Sequence, residues 1–174
     1  MPSSQSAHIR IIAAIEVLAG VIGLFLVLSY LTAQPVALPI WISAMGLLFF
    51  SLSVWAGIAL WLGKPHGYVL SIVAWSLQVV QVLAPFELIF RAGPYLILSL
   101  SSTLNVGFDI GALSGFFLGG TTGPGWELGI NVFALAMALL LGRAIEDQQQ
   151  QDHLAASIER EKDRMAANEQ RKPK

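Results

Sequence analysis

Long apolar runs alternate with short polar breaks along the first 142 residues of this chain. A helix crosses about 30 Å of hydrocarbon with roughly 20 apolar residues, and the first three runs have that length. The breaks carry prolines and glycines, which favour turns, as in the reversal at residues 63–67. The pattern predicts four membrane-spanning helices, over residues 9–31, 40–62, 68–90 and 126–141.

Residues 95–118, between the third and fourth runs, follow a different period. The even positions from 96 to 110 are apolar except for Ser102, and the odd positions from 99 to 111 are Ser, Thr, Asn, Asp or Gly. A period of two is typical of a half-buried strand. We therefore expect a small extracytoplasmic β-hairpin that folds back near residues 101–103 and covers the outer helix ends with its apolar face.

A re-entrant helix that packs through its glycines is the alternative for the same stretch. Glycine is a poor helix former, and this helix would place Asn105 and Asp109 deep in lipid, so the strands are favoured. The alternative rests on glycines that recur every four positions, at Gly107, Gly111, Gly115 and Gly119.

Each predicted helix has a face of small or polar residues, which we call its stripe. Lipid provides no hydrophobic force between helices, so small residues and interhelical hydrogen bonds must hold them together. We therefore expect an all-α membrane bundle in which the stripes face one another. The stripes comprise Ala13, Glu16, Gly20 and Gly23; Ser43, Gly46, Ser53 and Gly57; Ser71, Ala74, Gln78, Gln81 and Pro85; and Glu127, Asn131, Ala134 and Ala138.

Five polar residues of these stripes are the candidate functional residues. A carboxylate within a membrane is costly and is often functional, so a path for protons or a small solute is one hypothesis. The structural interpretation is favoured, because the predicted spans contain no basic partner for the acid. In that interpretation the amides hold helices together, and the last acid stabilises the start of the fourth helix through the helix dipole. The five residues are Glu16, Gln78, Gln81, Asn131 and Glu127.

Composition and charge favour a membrane protein with a polar tail. The chain is 55% hydrophobic and 12% charged, and its mean hydropathy is +0.67. Residues 143–174 hold seven of the ten basic and seven of the eleven acidic residues, which predicts a cytoplasmic tail that is helical and then disordered. The distribution of Lys and Arg places both termini on the cytoplasmic side of four spans. A net charge of −1 argues against nucleic acid as a partner.

Motifs for catalysis, metals and cofactors are absent from the sequence. The chain has no cysteine, and its three histidines lie in separate segments without metal-ligand spacing. It has neither a nucleophile elbow nor a phosphate-binding loop. We therefore expect no catalytic, cofactor or metal site. Glu87, Arg91 and Asp109 are expected on one side of the membrane, where a surface ion pair is favoured over a binding site.

The segment Leu60-Trp61-Leu62-Gly63-Lys64-Pro65-His66-Gly67-Tyr68-Val69-Leu70-Ser71, followed by the alternating stretch and a last span, resembles small bacterial polytopic membrane proteins to which no function has been assigned. The resemblance implies a four-span topology in the bacterial inner membrane, and it implies no ligand or activity. The predicted function is a non-enzymatic structural or protein-interaction role in the bilayer, with a protein partner or a homo-oligomer. The alternative is a small channel or proton-coupled carrier.

Overall fold

The computed structural model describes residues 7–33, 40–83, 86–112, 114–120 and 126–170. Within these ranges the chain forms helices first, then a sheet, and then one long helix. The elements are α1 (Ala7–Ala33), α2 (Ile40–Trp61), α3 (Pro65–Ser76), β1 (Val80–Leu83), β2 (Phe86–Arg91), β3 (Tyr95–Ser101), β4 (Val106–Gly111), β5 (Gly115–Gly120), β6 (Glu127–Asn131) and α4 (Val132–Gln170).

The fold is mixed α and β, so the predicted all-α bundle of four spans is wrong. Among the described helices, two are long and apolar enough to cross a membrane by length and composition, within residues 7–32 and 40–61. These are α1 and α2, which correspond to the first two predicted spans. The predicted turns at 34–39 and 121–125 lie outside the described residues.

The third predicted span, 68–90, is divided between a short helix and two strands. After Gly63, whose φ is +68°, α3 begins at Pro65 and ends after 12 residues. The following segment contains β-branched Val79, Val80 and Val82, which favour strands over helices. It forms β1, which pairs with β2 in an antiparallel hairpin.

The fourth predicted span, 126–141, is also divided. Its first part is β6, which lies between β1 and β3 and pairs antiparallel with both. Helix α4 begins only at Val132, and its apolar part up to Leu141 would cover about 15 Å, half of a membrane. Glu127 therefore lies in a strand, and its predicted role in the first turn of a helix is wrong.

The six strands form one antiparallel sheet with the order β4-β3-β6-β1-β2-β5. The predicted hairpin is present as β3 and β4, with Leu98 opposite Phe108, but it is part of this larger sheet. Its turn closes through Ser101, whose N–H donates to the carbonyl of Asn105 at 3.0 Å. Leu104 in this turn has a φ of +59°, a left-handed conformation that usually belongs to glycine.

Helices α1 and α2 pack through their stripes, as predicted. A Cβ atom at Gly57 would lie 2.9 Å from the carbonyl oxygen of Ala13, and one at Gly20 would lie 3.0 Å from the carbonyl oxygen of Phe50. Side chains at these two positions would therefore force the backbones apart. All eight stripe residues of α1 and α2 are buried.

The chain divides into two compact units, residues 1–141 and 142–174. The first contains α1 to α3, the sheet and the start of α4. The second continues as a helix to Gln170, in agreement with the helical part of the predicted tail. The part of that tail predicted to be disordered begins beyond this helix, where residues 171–174 lie outside the described ranges.

Candidate functional site

Glu16 joins the first helix to the third. The Ser71 hydroxyl donates a hydrogen bond of 2.7 Å to Glu16 Oε2, and the Glu16 side chain is only 2% exposed. Both residues belong to predicted stripes. The second carboxyl oxygen, Oε1, is buried without a partner among the described residues. The arrangement makes Glu16 a contact between α1 and α3.

Gln78 joins the end of α3 to the turn between β2 and β3. Its Nε2 donates to the carbonyl of Ala74 at 3.1 Å, and its Oε1 accepts a hydrogen bond of 2.7 Å from the backbone N–H of Ala92. In the same turn Gly93 has a φ of +98°, and a Cβ atom there would lie 3.2 Å from that of Ala19. Gln78 therefore holds this turn against the helices with both ends of its amide.

Arg91 is the centre of a polar cluster on the sheet. Its guanidinium donates to Gln81 Oε1 at 3.1 Å and lies 3.4 Å from Asp109 Oδ2. The guanidinium carbon also lies 4.3 Å from the centre of the Tyr95 ring, in a cation–π contact. The surface ion pair expected between Arg91 and Asp109 is confirmed, while the side chain of Glu87 lies outside the described residues.

Asn131 joins β3, β6 and α4. Its Oδ1 accepts hydrogen bonds from the backbone N–H groups of Ala134, at 3.2 Å, and Leu96, at 3.3 Å. A side-chain oxygen that accepts from the third residue of a helix is an N-cap, which contributes about 1 kcal/mol. Asn131 is fully buried and ends the strand at the point where the helix begins.

The five candidate residues therefore do not form one ladder. Gln81 and Asn131 lie on adjacent strands and share the buried face of the sheet, because Gln81 is opposite Gly129 in the β1–β6 ladder. Within the described ranges no hydrogen bond connects Glu16 to either of them. Glu127, half-buried at the first residue of β6, makes no side-chain hydrogen bond in those ranges.

Three polar side chains of the sheet, two in the Arg91 cluster and one at the end of β6, have buried N–H donors without acceptors in the described part of the chain. They are Gln81 Nε2, Arg91 Nε and Asn131 Nδ2. The amide orientations follow from the network, because Gln81 Oε1 and Asn131 Oδ1 both accept from N–H donors. The cluster offers donors to water, and it contains no nucleophile beside a general base.

The described residues contain no group of three or more His, Asp or Glu side chains that could hold a metal ion. The three histidines lie in α1, α3 and α4, and all three are exposed. Two hydrogen bonds between distant segments were not predicted from the sequence, those of Ser71 and Ser114. Ser71 was assigned only to packing, and the Ser114 hydroxyl donates to the Ala19 carbonyl at 2.8 Å, a contact between distant segments that no local pattern signals.

The apolar face of the sheet is exposed, although the sequence predicted that it covers the helix ends. In β4 the exposed fractions are 78% for Val106, 75% for Phe108 and 70% for Ile110. The opposite face, with Gln81 and Ile97, is buried instead. Further exposed residues of the apolar face are Val80, Leu98, Leu100, Leu128 and Ile130.

Comparison of the chain with protein-family models, with curated proteins and with solved structures finds no match. The roles of the residues described above therefore follow from their geometry alone. The four-span layout that the resemblance to small bacterial polytopic membrane proteins implied is not present in the described residues.

Proposed function

We propose that this chain is a non-enzymatic integral membrane protein with a structural or protein-interaction role. The observation that carries the proposal is how its buried polar side chains are used. The Glu16 carboxyl group in α1 accepts a hydrogen bond from Ser71 in α3, and the Gln78 side chain accepts one from the β2–β3 turn. Gln81 in β1 accepts a hydrogen bond from Arg91 in β2, and Asn131 at the end of β6 caps α4. Each of them connects two elements of the fold.

A solute or proton path would need polar groups that are free to bind their cargo in succession. Gln78 has both ends of its amide bonded within the chain, and one oxygen of Glu16 is bonded to Ser71. These bonds support the structural role over the channel or carrier. The exposed apolar face of the sheet supports an interaction role, because a large exposed apolar surface typically marks a contact with protein or lipid.

The proposed location is the bacterial inner membrane, with both termini on the cytoplasmic side. If α1 and α2 each cross the bilayer, Arg10 and Lys64 flank the pair on the same side, as the positive-inside rule favours. The sheet follows α3 without a further span-length helix among the described elements. With two spans in place of four, the hairpin no longer has the extracytoplasmic position that the sequence predicted, and we expect reporters inserted at Lys64 and Ser102 to be cytoplasmic. An external reporter at Ser102 would show that another segment crosses.

The test of the proposed role combines cross-linking in native membranes with reconstitution. We expect the chain to be recovered in a stoichiometric protein complex, and liposomes that contain it to show no pH-dependent flux above empty liposomes. The proposal is overturned if flux appears that is lost in Glu16→Gln and kept in Ser43→Ala. Ser43 is the matched control, because it is buried on a stripe and its hydroxyl has no partner in the described residues.

A further inference from the structure

Strand β4 is an open edge of the sheet. Among the described strands it pairs with β3 alone, and five of its six residues are exposed. A free edge presents backbone N–H and C=O groups that can pair with another strand. Native proteins usually protect such an edge with charges, proline or a covering segment, and β4 has one charge, Asp109, which bonds Arg91.

The outward backbone groups of β4 belong to its apolar residues. The bond from the Ser101 N–H to the Asn105 carbonyl shows that Asn105 faces β3. Backbone groups alternate in direction along an antiparallel strand, so Gly107 and Asp109 also face β3. The N–H and C=O groups of Val106, Phe108 and Ile110 therefore point away from the sheet.

We propose that β4 pairs antiparallel with β4 of a second copy of this chain, about a two-fold axis at Phe108. The proposal rests on the interaction role proposed above and names its partner and contact. In this register Phe108 lies opposite its own counterpart, and Val106 lies opposite Ile110 of the second copy. All three outward residues then exchange backbone hydrogen bonds, and the two sheets join into one with a continuous apolar face.

The sequence of β4 favours this register over its neighbours. With the axis at Phe108, each Asp109 lies opposite Gly107 of the second copy. An axis at Asp109 would place two carboxylates directly opposite each other, which is destabilising. A shift of one copy by one residue would place apolar side chains on the polar face of the partner. The favoured register also pairs two aromatic rings across the strands, a stabilising combination.

Cysteine cross-linking tests the register, because the natural chain has no cysteine. Phe108→Cys should form a disulfide-linked dimer on mild oxidation in native membranes. Its control is Leu128→Cys, on the same apolar face but in the interior strand β6, where it is 44% exposed. We expect about tenfold more dimer from Phe108→Cys, since opposite residues lie about 5.5 Å apart, within disulfide range.

Co-expression of Val106→Cys with Ile110→Cys provides a second measurement that leaves Phe108 in place. We expect a mixed dimer to exceed either self-dimer. Equal dimer yields from Phe108→Cys and Leu128→Cys, together with no mixed dimer, would overturn the proposal. The proposal would also be overturned if a cysteine in β4 cross-linked only to a cysteine in β5. It would be overturned as well if lipid protected the β4 cysteines from a membrane-impermeant label in a chain that stays monomeric.

The outcomes separate this proposal from the broader one. If the chain forms a stoichiometric complex with another protein and Phe108→Cys does not self-link, the interaction role stands and the β4 dimer fails. If the liposomes show flux that depends on Glu16 while Phe108→Cys links, the dimer stands and the non-transport role fails.

Discussion

The helical pair α1–α2 and the six-stranded sheet are both rich in exposed apolar side chains, but they differ in how their backbones are satisfied. Each helix pairs its N–H and C=O groups internally, so it can lie in lipid without a neighbour. The sheet pairs its groups between strands and ends in edges at β4 and β5. The same apolar composition therefore leaves the backbone of the helical pair fully paired and leaves unpaired backbone groups at the two outer strands of the sheet.

Glycine also has different roles in the two regions. In the helical pair, Gly20 and Gly57 allow two backbones to approach closely. In the sheet, the residue that most needs a glycine's freedom is Leu104, with its positive φ. The contrast predicts that adding a side chain at a packed glycine lowers the stability of the helical pair. Replacing Leu104 with glycine should instead raise the stability of the sheet.

The largest effect should come from Gly57→Leu in the helical pair. A side chain at position 57 would clash with the carbonyl oxygen of Ala13 and the backbone nitrogen of Val17. We expect a loss of about 3 kcal/mol in the free energy of unfolding, at the upper end for overpacked cores. Denaturant titration of the purified protein in mild detergent measures it.

Gly142→Leu is the control for that substitution. A Cβ atom at Gly142 would have nothing within 4 Å, and both glycines lie in helices, so both variants gain a similar helix propensity. The difference between the two variants isolates the contact between α1 and α2. Equal stabilities would show that the helical pair does not depend on this close approach.

A smaller effect of the opposite sign is expected for Leu104→Gly in the β3–β4 turn. A left-handed conformation costs an L-residue about 1–2 kcal/mol, and glycine avoids this cost. We expect the variant to unfold at a higher denaturant concentration, and we expect the amide hydrogens of β4 to exchange more slowly. Ser102→Gly, in the same turn without a positive φ, should instead lose stability, and a gain in that control would refute the explanation.

Length and period were sufficient to predict α1, α2 and the β3–β4 hairpin, because each depends on a pattern within one segment. Residues 68–90 and 126–141 were misinterpreted because continuous apolar runs fit a buried helix and a strand equally well. β6 is a strand because β1 and β3 lie on either side of it. That neighbourhood depends on residues far away in the chain.

For the polar residues, too, local spacing predicts which residues are buried on a helix but not which contacts they make in the sheet. Helical spacing placed Glu16 on a buried stripe and Ser71 on another, and these two stripes meet. Spacing did not reveal that Gln81 would bond Arg91, because that contact depends on how β1 and β2 align. Nor did it identify Asn131 as a cap, since the predicted helix began at residue 126, six residues before α4 begins at Val132.

The position of β6 also has a consequence for how the protein is made. β6 is the last strand to leave the ribosome, yet it lies between β3 and β1 in the sheet. Until it arrives, the earlier strands form two separate groups, and the inner edges of β1 and β3 stay unpaired. The helical pair is complete after residue 61, but the sheet must wait for residue 131. Nascent chains that stop between these points would be the ones most exposed to aggregation and most dependent on chaperones.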